Sequence, residues 1–91
     1  IHMSIQIIVR FHVADFDKFK TLFDARAGAR TAASLTGKLY REIDAPNSPV
    51  VIGTAPSKEA FFAFFQSPEQ QEAMKDGGMV GPPQITLLEE V

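Results

Sequence analysis

The chain of 91 residues has no cysteine and no tryptophan, one tyrosine and two histidines. Without cysteine there is no disulfide to brace a small fold and no thiolate to act as nucleophile or metal ligand. The same absence fits a reducing, cytoplasmic setting. No apolar run approaches the roughly 20 residues that span a bilayer, and the N-terminal stretch lacks the basic and apolar regions of a secretory signal. Neither is there a basic stripe. Nine lysines and arginines are interspersed with eleven acidic residues, for a net charge of −2, which argues against a nucleic-acid partner. Ile1–His2 ahead of Met3 reads as an expression-vector remnant, so residues 3–91 are taken as one domain and His12 as its sole native histidine.

What is present is hydrophobic periodicity. From Ser4 to His12, Ile5, Ile7, Val9 and Phe11 alternate with Gln6, Ile8, Arg10 and His12, predicting a strand with one apolar and one mixed face. Asp15 suits a helix N-cap, and Phe16, Phe19, Phe23 and Ala27 form a helical stripe that leaves Arg26 largely outside it. The alanine-rich stretch carries this helix to Ala33. Lys38–Asp44 predicts a second strand, residues 45–49 a proline turn, and Val50–Ala55 a third strand, apolar on both faces and so central.

Ser57 caps a second main helix bearing Phe61, Phe62, Phe64 and Phe65. Ser67-Pro68 opens a short one that stops at Gly77-Gly78. Gln84–Val91 predicts the last strand. The order is that of an α+β, ferredoxin-like β-α-β-β-α-β sandwich with an antiparallel sheet and its helices on one face. A core this small is marginal alone. The uncovered sheet face, with Ile8, Ile52 or Val51, and Leu88, is too apolar for water, which predicts a homodimer.

Val13-Ala14-Asp15-Phe16 with Phe19-Lys20, Tyr40-Arg41, Asp44-Ala45-Pro46-Asn47, and the segment from Gly77 to Pro83 carry a resemblance. In these the chain resembles the dimeric α/β-barrel superfamily, and within it small bacterial proteins labelled antibiotic-biosynthesis-monooxygenase-like or cyclase-like. The resemblance implies two sheets facing across a dimer, a cavity, and in some members a small aromatic or polyketide-like ligand. Haem-degrading relatives pair an asparagine, a tryptophan and a histidine, and this chain has no tryptophan.

His12 and Arg10 are the candidate catalytic residues. Two apart on one strand, they share a face, where a histidine acts as a base near neutral pH and an arginine steadies an enolate or phenolate. The plainer alternative makes His12 a strand-end cap and Arg10 an intersubunit ion-pair partner. Ile8, Tyr40, Thr54, Thr86 and Leu88 are the candidate pocket lining. The four phenylalanines at positions 61, 62, 64 and 65 read as core. Gly77–Gly81 resembles a phosphate loop, but Pro82 and Pro83 follow it and no helix begins there. No ligand cluster for a metal and no cofactor motif is present. Two functions stay open: a cofactor-independent monooxygenase or cyclase, and a non-catalytic, stress-related or structural dimer.

Overall fold

A computed structural model describes residues 4–91; the reading of Ile1–His2 as a vector remnant lies outside them. The elements are β1 (Ile5–Arg10), α1 (Phe16–Ala25), α2 (Ala27–Ala32), β2 (Thr36–Glu42), β3 (Ala45–Ala55), α3 (Lys58–Phe65), α4 (Pro68–Asp76) and β4 (Gln84–Leu88). Their strands form one antiparallel sheet in the order β2-β3-β1-β4. This is the expected α+β, ferredoxin-like arrangement, with β1 and β3 at its centre.

Alternation in β1 decides the layering. Ile7 and Val9, with Phe11 beyond the strand end, are buried beneath the helices together with Val51 and Ala55 of β3. Phe19 of α1, Phe61 and Phe65 of α3 and Met74 of α4 complete that core. The rings pack in pairs, Phe11 with Phe19 at 5.0 Å between centroids and Phe61 stacked on Phe65 at 5.3 Å. Phe61 and Phe65 lie one turn apart on the buried stripe of α3, while Phe62 and Phe64 flank it half-buried.

Capping follows the sequence. The Asp15 carboxylate accepts from the backbone N–H groups of Asp17 and Lys18 at 3.0 and 3.3 Å. Ser57 and Ser67 accept from Ala60 and Gln70. Gly78, at φ +76°, ends α4 in the left-handed region that glycine enters without strain.

Several boundaries differ from the sequence reading: β1 ends at Arg10 and not at His12, and β2 spans Thr36–Glu42 and not Lys38–Asp44. The first helix does not run unbroken to Ala33. It breaks at Arg26 (φ −94°, ψ 7°), which turns Ala27 out to solvent and brings the Arg26 side chain in over Phe64. The predicted turn at 45–49 is strand: the hairpin reverses at Ile43-Asp44, leaving Ile43 97% exposed, and β3 begins at Ala45. Pro46 and Pro49 are tolerated because pairing jumps from Arg41↔Pro49 to Glu42↔Ala45, so the prolines lie at a bulge. The carbonyls of Pro49 and Asn47 there accept from the N–H groups of Phe11 and Val13. Finally, β4 ends at Leu88, short of Val91.

Candidate functional site

The sheet presents two surfaces that differ in chemistry. On the face away from the helices, directly paired residues line up across the strands. Arg10 lies between Val50 and Gln84, with Tyr40 beyond Val50, Ile8 between Ile52 and Thr86, and Gln6 between Thr54 and Leu88. Ile8, Tyr40, Thr54, Thr86 and Leu88, the candidate lining residues, therefore share one face with Arg10. Strand alternation places the exposed His12 there as well. Val51 turns to the helices, so Ile52 is the β3 residue on the open side.

Arg10 and His12 are both engaged on that face. Arg10 Nη1 donates to Glu42 Oε1 at 3.3 Å, both side chains being about half exposed. His12 Nδ1 and the Ser48 hydroxyl lie 3.2 Å apart. Thr54 bonds Thr36, hydroxyl to hydroxyl at 2.7 Å. In the single chain this surface is open. Tyr40, Ile52 and Leu88 keep between 42% and 49% of their area exposed.

A concavity lies on the other side, between sheet and helices, and its volume is about 60 Å3. Ile7, Val9 and Val51 form its floor. Phe19 and Phe23 of α1, Phe61 and Phe65 of α3, and Met74 of α4 form its walls. The polar groups are at its rim: Arg26, Arg30, Gln70 and Thr36. Arg26 Nε donates to Gln70 Oε1 at 3.1 Å and so ties the α1–α2 junction to α4. Arg30 lies with its guanidinium carbon 3.7 Å from the centre of the Phe23 ring and donates through Nη1 to the Phe23 carbonyl at 2.8 Å. Burial pushes the Arg30 pKa down from its ordinary value.

None of the seven residues singled out in the sequence lines this pocket. Arg26 was missed because a stripe running through Phe16, Phe19, Phe23 and Ala27 assumes an unbroken helix and leaves Arg26 outside it. Arg30 follows Phe23 by seven residues, on the continuation of that same stripe. A cation at a core position was the one available signal. Among the described residues, no three of His, Cys, Asp and Glu come together as a metal site requires.

Neither models of known protein families nor curated proteins give a match to the sequence. Solved structures do. A proposed antibiotic biosynthesis monooxygenase from Bordetella bronchiseptica superposes with a TM-score of 0.84 at 22% identity, over 98% of both chains. Another, from Caulobacter crescentus CB15, gives 0.76 at 19% identity, over 99% of this chain and 92% of that one. SnoaB, a cofactor-independent oxygenase from Streptomyces nogalater, gives 0.67 at 22% identity, over 98% of this chain and 96% of its own. At these identities the likeness is one of fold, and the fold is the ferredoxin-like one that antibiotic-biosynthesis-monooxygenase-like structures share.

Proposed function

We propose that this chain is a small-molecule-binding homodimer of the cofactor-independent monooxygenase or cyclase kind, acting on an aromatic or polyketide-like compound held between sheet and helices. The observation that carries this reading is the pocket itself: an apolar floor, phenylalanine walls and a rim with few polar groups, the composition of ligand sites in general. The end-to-end likeness in fold to a cofactor-independent oxygenase supports the reaction class. A hydroxylated aromatic, ionised to its phenolate or enolate, is the form that reacts with dioxygen or closes a ring.

The space already formed, about 60 Å3, is smaller than the roughly 150 Å3 in which an engineered protein cavity holds benzene. Ligand admission therefore requires the rim to part, and the Arg26–Gln70 hydrogen bond is the contact that crosses it. The test is a titration with hydroxynaphthalenes and anthrones, followed by amide chemical shifts and by oxygen uptake. Shifts centred on Leu22, Ala73 and Met74 are expected. Shifts confined to β1 and β4 residues of the open face, or none at millimolar ligand, refute the pocket assignment.

The open face is assigned to the second copy. Helices cover one side of the sheet only, and Ile8, Tyr40, Ile52 and Leu88 on the other are incompletely buried. Pairing two such faces about a two-fold axis removes them from water and should bury more than about 1,200 Å2 in total. Sedimentation at micromolar concentration showing only a 10.0 kDa species would rule it out.

A second reading, a non-catalytic dimer, is favoured by one specific observation. The two candidate catalytic residues, His12 and Arg10, already have partners in Ser48 and Glu42. Absence of both ligand binding and oxygen uptake, with the dimer intact, would select this reading.

A further inference from the structure

At the pocket mouth two guanidinium groups meet an aromatic wall. Arg26 stands 5.4 Å from the centre of the Phe64 ring while bonding Gln70, and Arg30 stands 3.7 Å from that of Phe23. One helical turn separates them, the Arg30 N–H donating to the Arg26 carbonyl at 3.1 Å. Both side chains line the pocket and both residues are half-buried.

Neither forms a salt bridge, and the carboxylate that acts on Arg30 from farther off, Asp24, is itself paired with Lys20. The ion pairs among the described residues are Arg10–Glu42 and Lys20–Asp24, so no described carboxylate lies within 4.0 Å of Arg26 or Arg30. Withdrawing a cation from water without a partner is costly. Burial lowers the Arg30 pKa most; the Asp24 charge opposes that shift, and the Arg26 charge adds a smaller lowering. Arg30 uses Nη1 on the Phe23 carbonyl, and its remaining N–H donors stay available at the rim.

Resting on the pocket reading above, we infer that Arg26 and Arg30 form an anion-selecting mouth, and that the ligand is a planar aromatic molecule carrying a negative charge as a carboxylate or a phenolate. The ring enters among Phe23, Phe61 and Phe65, and the charged group stays at the guanidiniums. There it supplies a close counter-charge through charge-assisted hydrogen bonds. Arg26 releases Gln70 to make that contact, so anion binding and opening of the rim are one event.

The experiment compares 2-naphthoate with its neutral isostere 2-naphthamide by NMR titration of the full chain. Naphthoate is expected to bind roughly tenfold or more tightly, the range of a charged hydrogen bond. Arg26→Gln and Arg30→Gln should each shrink that preference, read as the ratio of the two affinities within the same variant. Should Arg30→Gln fail to fold, because its contacts with Phe23 hold α2 to α1, Arg26→Gln carries the test alone. Equal affinity of the two probes for the wild type overturns the inference and leaves the pocket reading standing. Failure of both probes to bind overturns the pocket reading and this inference with it. A naphthoate preference that survives both substitutions, or that is lost in Arg10→Gln instead, places the anion on the open face and overturns the inference.

Discussion

Replacing Gly53 by alanine tests the geometry of the sheet where it borders the pocket. Gly53 pairs with Ile7 on one side and Gly37 on the other. A Cβ at Gly53 would stand 1.9 Å from the Thr36 carbonyl oxygen and 2.8 Å from the Gly37 Cα. Real Cβ contacts begin near 3.0 Å, so relieving the first clash requires a separation of 1.1 Å, the difference between those two distances. The obstacle is backbone, and no side-chain rotation removes it. Moving β2 away also stretches the contacts that Thr36 makes with Thr54, from the Thr54 N–H at 3.0 Å and between hydroxyls at 2.7 Å.

Overpacking of this kind costs about 1–3 kcal/mol, and weakened hydrogen bonds add about 1 kcal/mol. In a domain of this size that lowers the melting temperature by about 10 °C or more. Gly37→Ala is the control. Its Cβ would meet a Val51 methyl at 3.2 Å and Phe23 and Arg30 side-chain atoms at 3.9 Å, all able to yield by a few tenths of an ångström. It should stay within about 1 kcal/mol of wild type, since alanine also relieves the conformational cost of a strand glycine. Both are measured by thermal and urea unfolding followed by far-UV circular dichroism. A Gly53→Ala melting point within about 3 °C of wild type, or a larger loss in Gly37→Ala, refutes the reasoning.

Three further outcomes are expected. Ile52→Asp places a charge at the centre of the open face, and sedimentation velocity should show the dimer replaced by a 10.0 kDa species. Asp15→Ala removes the cap that holds the Asp17 and Lys18 N–H groups, costing about 1 kcal/mol in urea unfolding with α1 frayed at its start. His12→Ala gives up an exposed contact with Ser48, so stability should fall by less than about 1 kcal/mol and aromatic binding in the pocket should persist. Loss of turnover in His12→Ala, with dimer and binding intact, would instead make His12 the base.

Much of this architecture is legible because local signals agree with the global fold. The alternation in β1 sorts Ile7 and Val9 from Ile8 and Arg10, and the serine and aspartate caps mark three helix starts. What was not legible depends on tertiary contact. No proline or glycine precedes the break at Arg26; its guanidinium lies over Phe64 and bonds Gln70, 44 residues further along the chain. Propensity is a weak prior against such a contact. Pro46 and Pro49 carry the local signature of a turn, and only the shift in register opposite Arg41 and Glu42 shows that a bulge accommodates them. The pocket was illegible partly for the same reason, since the break brings Arg26 to its rim.

The strand that organises the fold also separates its two candidate surfaces. Ile7 and Val9 floor the pocket, while Ile8 and Arg10 between and beyond them belong to the open face. A one-residue slip of β1 would exchange these sets, placing Arg10 under the helices and Val9 on the open face. Register is therefore under pressure from both sides at once, which is stronger than in a sheet with one solvated face. The same division makes the two proposed roles, ligand binding and pairing, separable. A charge at Ile52 acts on the pairing surface across a layer of backbone from the pocket, and a change at Arg26 acts on the rim without reaching the open face. Variants of the two kinds should combine additively in stability if the surfaces are independent. Coupling between them would mean that the sheet itself moves when the rim opens, with β3 as the strand that carries it, because Val51 faces the pocket and Ile52 the open side.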